Sequence, residues 1–255
     1  MYLRVCPIIA SRRVSETTWV LRFLSPEIAA AGQPGQFLNI RVCDGSEPLL
    51  RRPFSIYRKE GDEVEILYNV VGKGTALLSR RSRGESIDVL GPLGVSFSVE
   101  ATDFSTAILV AGGLGVAPLP ITTSALRAGG KEIVTLLGAR SSAQLVKAHL
   151  DGVEVATDDG SEGFHGNVVD LLSETLRNRR PERPRIFGCG PTPMLRALAD
   201  LALREQVPCE VSLEGPMACG VGICQGCPVP LREPGKAYAL VCKDGPVFDA
   251  RRVRL

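Results

Sequence analysis

The sequence predicts a mixed β and α/β protein: a small antiparallel β-barrel, then a doubly wound parallel sheet, then a short cysteine-rich unit at the C-terminus. Three observations carry this. Short apolar or alternating runs, broken by turn residues, fill residues 1–100. From 101 to 213, strand-like runs alternate with helix-like stretches, the rhythm of a parallel sheet. Residues 214–255 hold four closely spaced cysteines and too little apolar sequence for a core of their own.

In the first segment, strands are expected at Trp19–Leu24, Phe37–Val42, Phe54–Tyr57, Val64–Tyr68 and Ile87–Leu90. Turn signals separate them at Gly32-Gln33-Pro34-Gly35, Asp44-Gly45, Glu60-Gly61-Asp62 and Gly91-Pro92. Strands this short and this evenly spaced suggest a barrel. In the second segment, Thr106–Ala111 is a continuous apolar run followed by a glycine loop and a helix ending at Ala128-Gly129-Gly130. Further strands are expected at Glu132–Leu137, Val153–Ala156, Arg185–Phe187 and Cys209–Leu213. Helices are expected at Val168–Leu176 and Met194–Arg204, the latter with Met194, Leu198 and Leu201 on one face.

Bulk composition narrows the function. The net charge of +2 offers no electrostatic case for binding nucleic acid. The apolar stretch from Ala107 to Ile121 is interrupted by glycines and prolines and is too short to span a membrane. The N-terminus lacks the basic-then-apolar order of a signal peptide. A cytoplasmic protein with reduced thiols is therefore expected.

Cys219, Cys224 and Cys227 are spaced C-x4-C-x2-C, and Cys242 follows after fourteen residues. That is the spacing of a plant-type [2Fe–2S] site, in which three thiolates come from one loop. Gly220, Gly222 and Gly226 suit a backbone winding closely around an inorganic core, with N–H groups free to donate to sulfur. Structural zinc is the alternative, although zinc sites more often come as two C-x2-C pairs and only one is present. Of the other cysteines, Cys6, Cys43 and Cys209 are expected to be small buried hydrophobes. His149 and His165 are expected to ligate nothing.

Two glycine loops follow strands of the α/β segment: Gly112-Gly113-Leu114-Gly115-Val116-Ala117-Pro118, and Gly188-Cys189-Gly190-Pro191-Thr192-Pro193-Met194. The first is not the G-x-G-x-x-G fingerprint, and a tight turn alone would explain it. Two such loops at the carboxyl edge of one sheet predict a ligand crevice, with Cys189 at its floor. On the barrel, Arg51-Arg52-Pro53-Phe54-Ser55 offers guanidinium groups suited to phosphate. Tyr68 and the turn Gly72-Lys73-Gly74-Thr75 follow on the next strand.

Together, Arg52-Pro53-Phe54-Ser55, the Gly112–Pro118 loop and Cys189-Gly190-Pro191-x-x-Met194 resemble the ferredoxin–NADP reductase superfamily. Adding the cysteine spacing, Lys243-Asp244-Gly245-Pro246-Val247-Phe248 and Thr157-Asp158-Asp159-Gly160-Ser161, the whole chain resembles the electron-transfer subunits of NAD-dependent (class 1B) dihydroorotate dehydrogenase. Flavin/iron–sulfur subunits of sulfide dehydrogenase and of ferredoxin:NADP oxidoreductases share most of these motifs. The resemblance implies an FAD-binding barrel (1–100), an NAD-binding α/β domain (101–213) and a [2Fe–2S] domain (214–255). It implies that Arg52, Pro53, Phe54, Ser55, Leu67, Tyr68 and Asn69 hold FAD, with Gly74 and Thr75 donating to its pyrophosphate. It places NAD over Gly112, Gly113 and Gly115, and the nicotinamide near Cys189, Gly190 and Pro191, with Cys189 in the catalytic position. Arg140 would reach the adenosine end or serve as an exposed structural arginine. It further implies an FMN-containing catalytic subunit as partner, two of each chain in a heterotetramer, acting in pyrimidine biosynthesis. The segment Gly245–Leu255, with Val247, Phe248 and Val253, is the expected docking contact for that partner.

Overall fold

The computed structural model describes residues 1–232, 235 and 237–255. Six strands close an antiparallel barrel: β1 (Tyr2–Arg13), β2 (Thr18–Leu24), β3 (Phe37–Arg41), β4 (Arg52–Glu60), β5 (Glu63–Asn69) and β6 (Ser86–Leu93). Their order is β1-β2-β5-β4-β3-β6, closed by β6 pairing with β1. Alternation sends Leu21, Phe23, Leu38, Ile40, Ile56, Ile66, Ile87 and Val89 into one interior cluster. Two short helices, α1 (Pro26–Ala31) and α2 (Lys73–Leu78), cap connections between the strands.

The second layer is a sheet of seven strands. Six are parallel: β7 (Thr106–Gly112), β8 (Glu132–Ala139), β9 (Val153–Thr157), β10 (Phe164–His165), β11 (Pro184–Cys189) and β12 (Cys209–Ser212). Helices α3 (Leu119–Ala128), α4 (Val168–Arg179) and α5 (Thr192–Arg204) cover it. Every residue of β7 is buried, as a central strand covered on both faces requires. Helix α5 buries Leu195, Leu198, Leu201 and Ala202, a stripe at i, i+3 spacing. Helix α4 starts at Asn167, whose side-chain oxygen accepts from the Val169 and Asp170 N–H groups. Barrel residues Val20, Tyr57 and Leu67 share a cluster with Phe97, Phe104, Leu109 and Phe187, so the barrel packs directly on the sheet.

After β12 come a two-stranded ribbon, β13 (Pro228–Pro230) with β14 (Tyr238–Leu240), and one turn of helix, α6 (Val241–Asp244). Strand β15 (Val247–Asp249) then returns to the large sheet, antiparallel to β12. Val229, Leu231, Ala239, Leu240 and Val241 join a core cluster with Ile108, Leu136, Ile186 and Val211. The terminal stretch borrows its core from the sheet.

Two findings differ from the sequence expectation. The longest strand, β1, was not expected, because its residues bury little and it is held by ladders on both edges. The expected docking segment is also not a free surface. Val247 is 6 %, Phe248 5 % and Val253 0 % exposed: pairing with β12 folds the first two into the core, and Val253 is held there by a bridge to Leu231. Among the described residues no helix is long and apolar enough to cross a membrane.

Candidate functional site

A cleft of about 390 Å³ opens where the barrel meets the carboxyl edge of the sheet. Arg52, Pro53, Phe54 and Ser55 from β4, Leu67, Tyr68 and Asn69 from β5, and Thr75 from α2 line the barrel side. Leu114, Ala117, Cys189, Ser212 and Glu214 line the sheet side. The structure therefore brings the barrel motif and Cys189, far apart in sequence, to one cavity.

The two adjacent arginines have different employment. Arg51 is committed to the fold: its Nη2 lies 2.8 Å from Asp88 Oδ2, and its Nη1 donates to the Asp88 and Asn39 carbonyls. Arg52 has no carboxylate partner among the described residues and donates only to the Leu50 and Arg51 carbonyls. Its guanidinium lies across Gly74, where a Cβ would sit 3.1 Å from Nε. Beside it, the Thr75 hydroxyl accepts from the Val71 and Gly72 N–H groups and donates to the Gly72 carbonyl. The first helical bond of α2 runs from the Ala76 N–H to Gly72. That leaves the N–H groups of Lys73, Gly74 and Thr75 without intrahelical acceptors. An uncommitted guanidinium, free backbone donors and a missing Cβ are what a bound phosphate needs. Tyr68 is buried, its ring edge-on to Phe54 at 5.5 Å, and burial pushes its phenol above the ordinary pKa. The wall it forms is apolar and suits a flat ring system.

The glycine loops turn out to be locked into each other. Strands β7 and β11 are parallel neighbours, with Ala111 opposite Cys189. A Cβ on Gly115 would overlap the Cys189 carbonyl, and one on Gly112 would come within 2.6 Å of Met194 Sδ and 3.1 Å of Pro191. Gly190, at φ +157°, abuts the Gly112 N–H in turn. Packing between the loops is therefore the reason for Gly112, Gly115 and Gly190. Only Gly113, exposed at φ +55° with open space around it, offers its backbone outward. It borders a second cleft of about 240 Å³, with Thr17, Thr18 and Asn69 on one side and Ser141 and Gln144 on the other. Arg140 stands exposed at the end of β8, and its carbonyl accepts the Asp159 N–H.

Cys189 is 2 % exposed. Burial first, and the Glu214 carboxylate second, push its pKa up, against a hydrogen bond with Ser212 that lowers it. It is a neutral thiol, suited to contact rather than to nucleophilic attack. Glu214 itself is raised by desolvation against the cleft wall.

The four spaced cysteines converge. The sulfurs of Cys227 and Cys242 are 3.2 Å apart. Backbone N–H groups aim at the thiols: Val221 and Cys224 at Cys219, Gly222 at Cys242, and Cys242 at Cys227. Desolvation opposes ionisation of Cys219, but these donors outweigh it and bring the thiol down to about 6. Gly220 and Gly222 take left-handed φ of +73° and +82°, with no room for a Cβ against Asn39 and Lys243. No three Cys, His, Asp or Glu side chains among the described residues are placed around one ion. A zinc site needs four ligands on one ion, whereas each iron of a two-iron cluster takes two cysteines. The donor set fits the two-iron group. Met217 and Pro246, on the two flanks of this loop, line the large cleft, so the loop and the cleft share a wall.

The cleft residues that sequence reasoning did not assign to the site are Phe37, Val71, Leu114, Ala117, Ser212, Leu213, Glu214, Gly215, Met217 and Pro246. Ser212 and Glu214 carried one usable signal, their position at the carboxyl end of the last parallel strand. His149 packs edge-on to Tyr57, and His165 is exposed; neither lines the cleft or the cysteine loop.

Comparison with known proteins agrees with this geometry. Residues 214–254 match the family model for the iron–sulfur cluster binding domain of dihydroorotate dehydrogenase B. The chain is 40% identical to the dihydroorotate dehydrogenase B (NAD(+)) electron transfer subunit of Bacillus caldolyticus, over 97% of both chains. It is equally similar to that of Geobacillus kaustophilus. A chain of the NADH-dependent reduced ferredoxin–NADP oxidoreductase superposes with a TM-score of 0.87 at 30% identity, covering 98% of this chain and 90% of that one. A ferredoxin NADP+ reductase from Neisseria gonorrhoeae with bound FAD and NADP shares the fold, with a TM-score of 0.68 at 15% identity over 80% of this chain and 92% of that one.

Proposed function

The chain belongs to the family of electron transfer subunits of NAD-dependent dihydroorotate dehydrogenase B, and from that premise we propose how its own residues conduct electrons between a catalytic partner and NAD+. The observation that carries the reading is the shared wall between the cysteine loop and the large cleft. Nicotinamide accepts a hydride, an iron–sulfur cluster passes single electrons, and FAD exchanges both, which is why a flavin belongs between the other two.

Arg52 and the free N–H groups of Gly74 and Thr75 would hold the FAD phosphates, with Pro53, Phe54, Ser55, Leu67, Tyr68 and Asn69 shaping the ring site. Across the cleft, Cys189, Gly190 and Pro191 would seat the nicotinamide. The glycine loop, through Gly113, would lead the dinucleotide toward Ser141 and Gln144. Cys189, buried and with its pKa raised, would meet the ring as a neutral thiol. Cys219, Cys224, Cys227 and Cys242 would hold the [2Fe–2S] cluster, with N–H groups favouring its electron-rich form.

The partner is an FMN-bearing subunit that oxidises dihydroorotate, two copies of each chain forming the assembly. Among the described residues there are no eight βα units from which to build that second site. A surface beside the cysteine loop is available for docking. Leu3 pairs with Leu90 across β1 and β6, and Leu90 with Asn39 across β6 and β3, so one row on the outer barrel face runs to the loop. On β1, Leu3 is 56 % and Val5 74 % exposed on one face, and Ile223, within the loop itself, is 81 % exposed. Exposed apolar side chains grouped beside a redox loop fit a protein partner.

The test is reconstitution. The purified chain should show flavin and iron–sulfur absorption and reduce artificial acceptors with NADH, while dihydroorotate oxidation should require the partner. A colourless zinc protein, or dihydroorotate turnover by the isolated chain, would overturn the reading.

A further inference from the structure

Asn39 is an amide in an apolar place. It sits on β3, whose outward-facing residues run in order from Phe37, in the cleft, through Asn39 to Arg41, in solvent. It is 0 % exposed, and its Oδ1 has no hydrogen-bond partner. Its one side-chain bond runs from Nδ2 to the carbonyl of Cys219, at 3.4 Å. Gly220 presses on the same amide, so that a Cβ there would lie 2.6 Å from Nδ2. On the other side of the strand pair, Asn39 is directly opposite Pro53 in the cleft wall. Burying a half-satisfied amide is costly, and an aliphatic side chain of similar size would suit the surroundings better. What the amide adds is a fixed attachment between the cysteine loop and the strand that backs the cleft.

We propose that Asn39 is a positioning residue for electron transfer: its amide clamps Cys219 onto β3 and so sets the cysteine loop at a fixed place relative to the cleft. The inference rests on the assignment of the cluster to the loop and of the flavin to the cleft. In Asn39→Leu the Cys219 carbonyl loses its donor, and the loop loses its anchor. Hydrogen bonding near a cluster tunes its potential, and outer contacts of this kind are commonly worth ten- to a hundredfold. The cluster potential should move to more negative values, the reduced-cluster EPR spectrum should change, and cluster-to-flavin transfer should slow roughly tenfold. In Asn39→Asp the ionised carboxylate has no proton to donate to the Cys219 carbonyl, so the potential should shift in the same direction as in Asn39→Leu.

The experiment measures cluster and flavin midpoint potentials, EPR spectra and FAD content in both variants, with Arg41→Leu as the control on the same strand face. FAD content and flavin potential should match wild type throughout. A wild-type cluster potential and spectrum in both variants, even with a lower Tm, would overturn the proposal. Should neither variant be soluble, Gly220→Ala displaces the same contact from the loop side, and an unaltered potential there overturns it equally. Wild-type protein lacking cluster or flavin would instead sink the cofactor assignment beneath it.

Discussion

Replacing Arg52 with alanine tests the flavin site at its most exposed assumption. Arg52 has no carboxylate partner among the described residues and spends one nitrogen on backbone carbonyls, so its positive charge is available to a ligand. Losing one charge-assisted contact to a phosphate costs about 1.5–3 kcal/mol. At 1.4 kcal/mol per decade, this weakens the Kd for FAD roughly 12- to 150-fold. Arg51→Ala is the matched control. It removes a largely buried pair with Asp88, the two side chains 23 % and 27 % exposed, and should cost about 1 kcal/mol, or roughly 2–4 °C in Tm. Its effect on FAD should be slight, and Arg41→Ala, at an exposed residue bonded to the Asp44 carbonyl, should change neither quantity. Flavin-fluorescence titration of apoprotein gives the affinities, and thermal unfolding without flavin gives the stabilities. Equal loss of FAD affinity from Arg51→Ala and Arg52→Ala would refute the reasoning, because the two arginines would then not be divided between fold and ligand.

Three further outcomes are expected. Cys224→Ser should abolish the reduced-cluster EPR signal yet retain FAD, since a hydroxyl replaces a thiolate poorly and the cleft lies in other elements; a normal signal would remove Cys224 from the ligand set. Phe248→Asp should yield little folded protein because it places a charge in the core, whereas Ile223→Asp should fold normally and weaken capture of the catalytic partner in co-purification. Cys189 should resist alkylation in the native holoprotein from pH 7 to 10. Its folded pKa, like that of Cys209, is raised above the usual 9.0. The sign follows for stability: both thiols are neutral in either state below about pH 9, and above it only the unfolded chain ionises, so folding weakens as pH rises. Rapid modification of native Cys189 at pH 8 would contradict this burial.

Features set by local chemistry were readable in the chain. The cysteine loop is one, because two irons impose a narrow ligand spacing whatever the surroundings. The barrel strands β2 to β6 and the alternating α/β rhythm are others, since each carries its own periodicity. Strand β1 was not readable: only Cys6 and Ile8 are fully buried, and the ladders to β2 and β6 that hold it are long-range. Strand β15 has three residues, too few to show a period, and its apolar side chains look the same in sequence whether they face a partner or a sheet edge. The glycines of the first loop were found, but the close approach that requires Gly112 and Gly115 comes from the second loop, about 80 residues away in the sequence. Glu214 and Ser212 were hidden because polar residues after a strand are ordinary until the cleft is seen.

The pairing of β12 with β15 bears on how the protein is made. Residues 213–246 are an excursion whose two ends lie side by side in one sheet. During synthesis the partner for the β12 edge, Val247–Asp249, is made only after the whole cysteine-bearing excursion. Until then the nascent sheet presents a bare edge, the feature that invites mispairing with other chains. A chain cut between Cys242 and Val247 would lose none of the four cysteines, yet it would leave that edge open. Quality control of this subunit should therefore fall on the final strand, and such shortened chains should accumulate as aggregates or be degraded rather than persist as soluble proteins lacking cofactor.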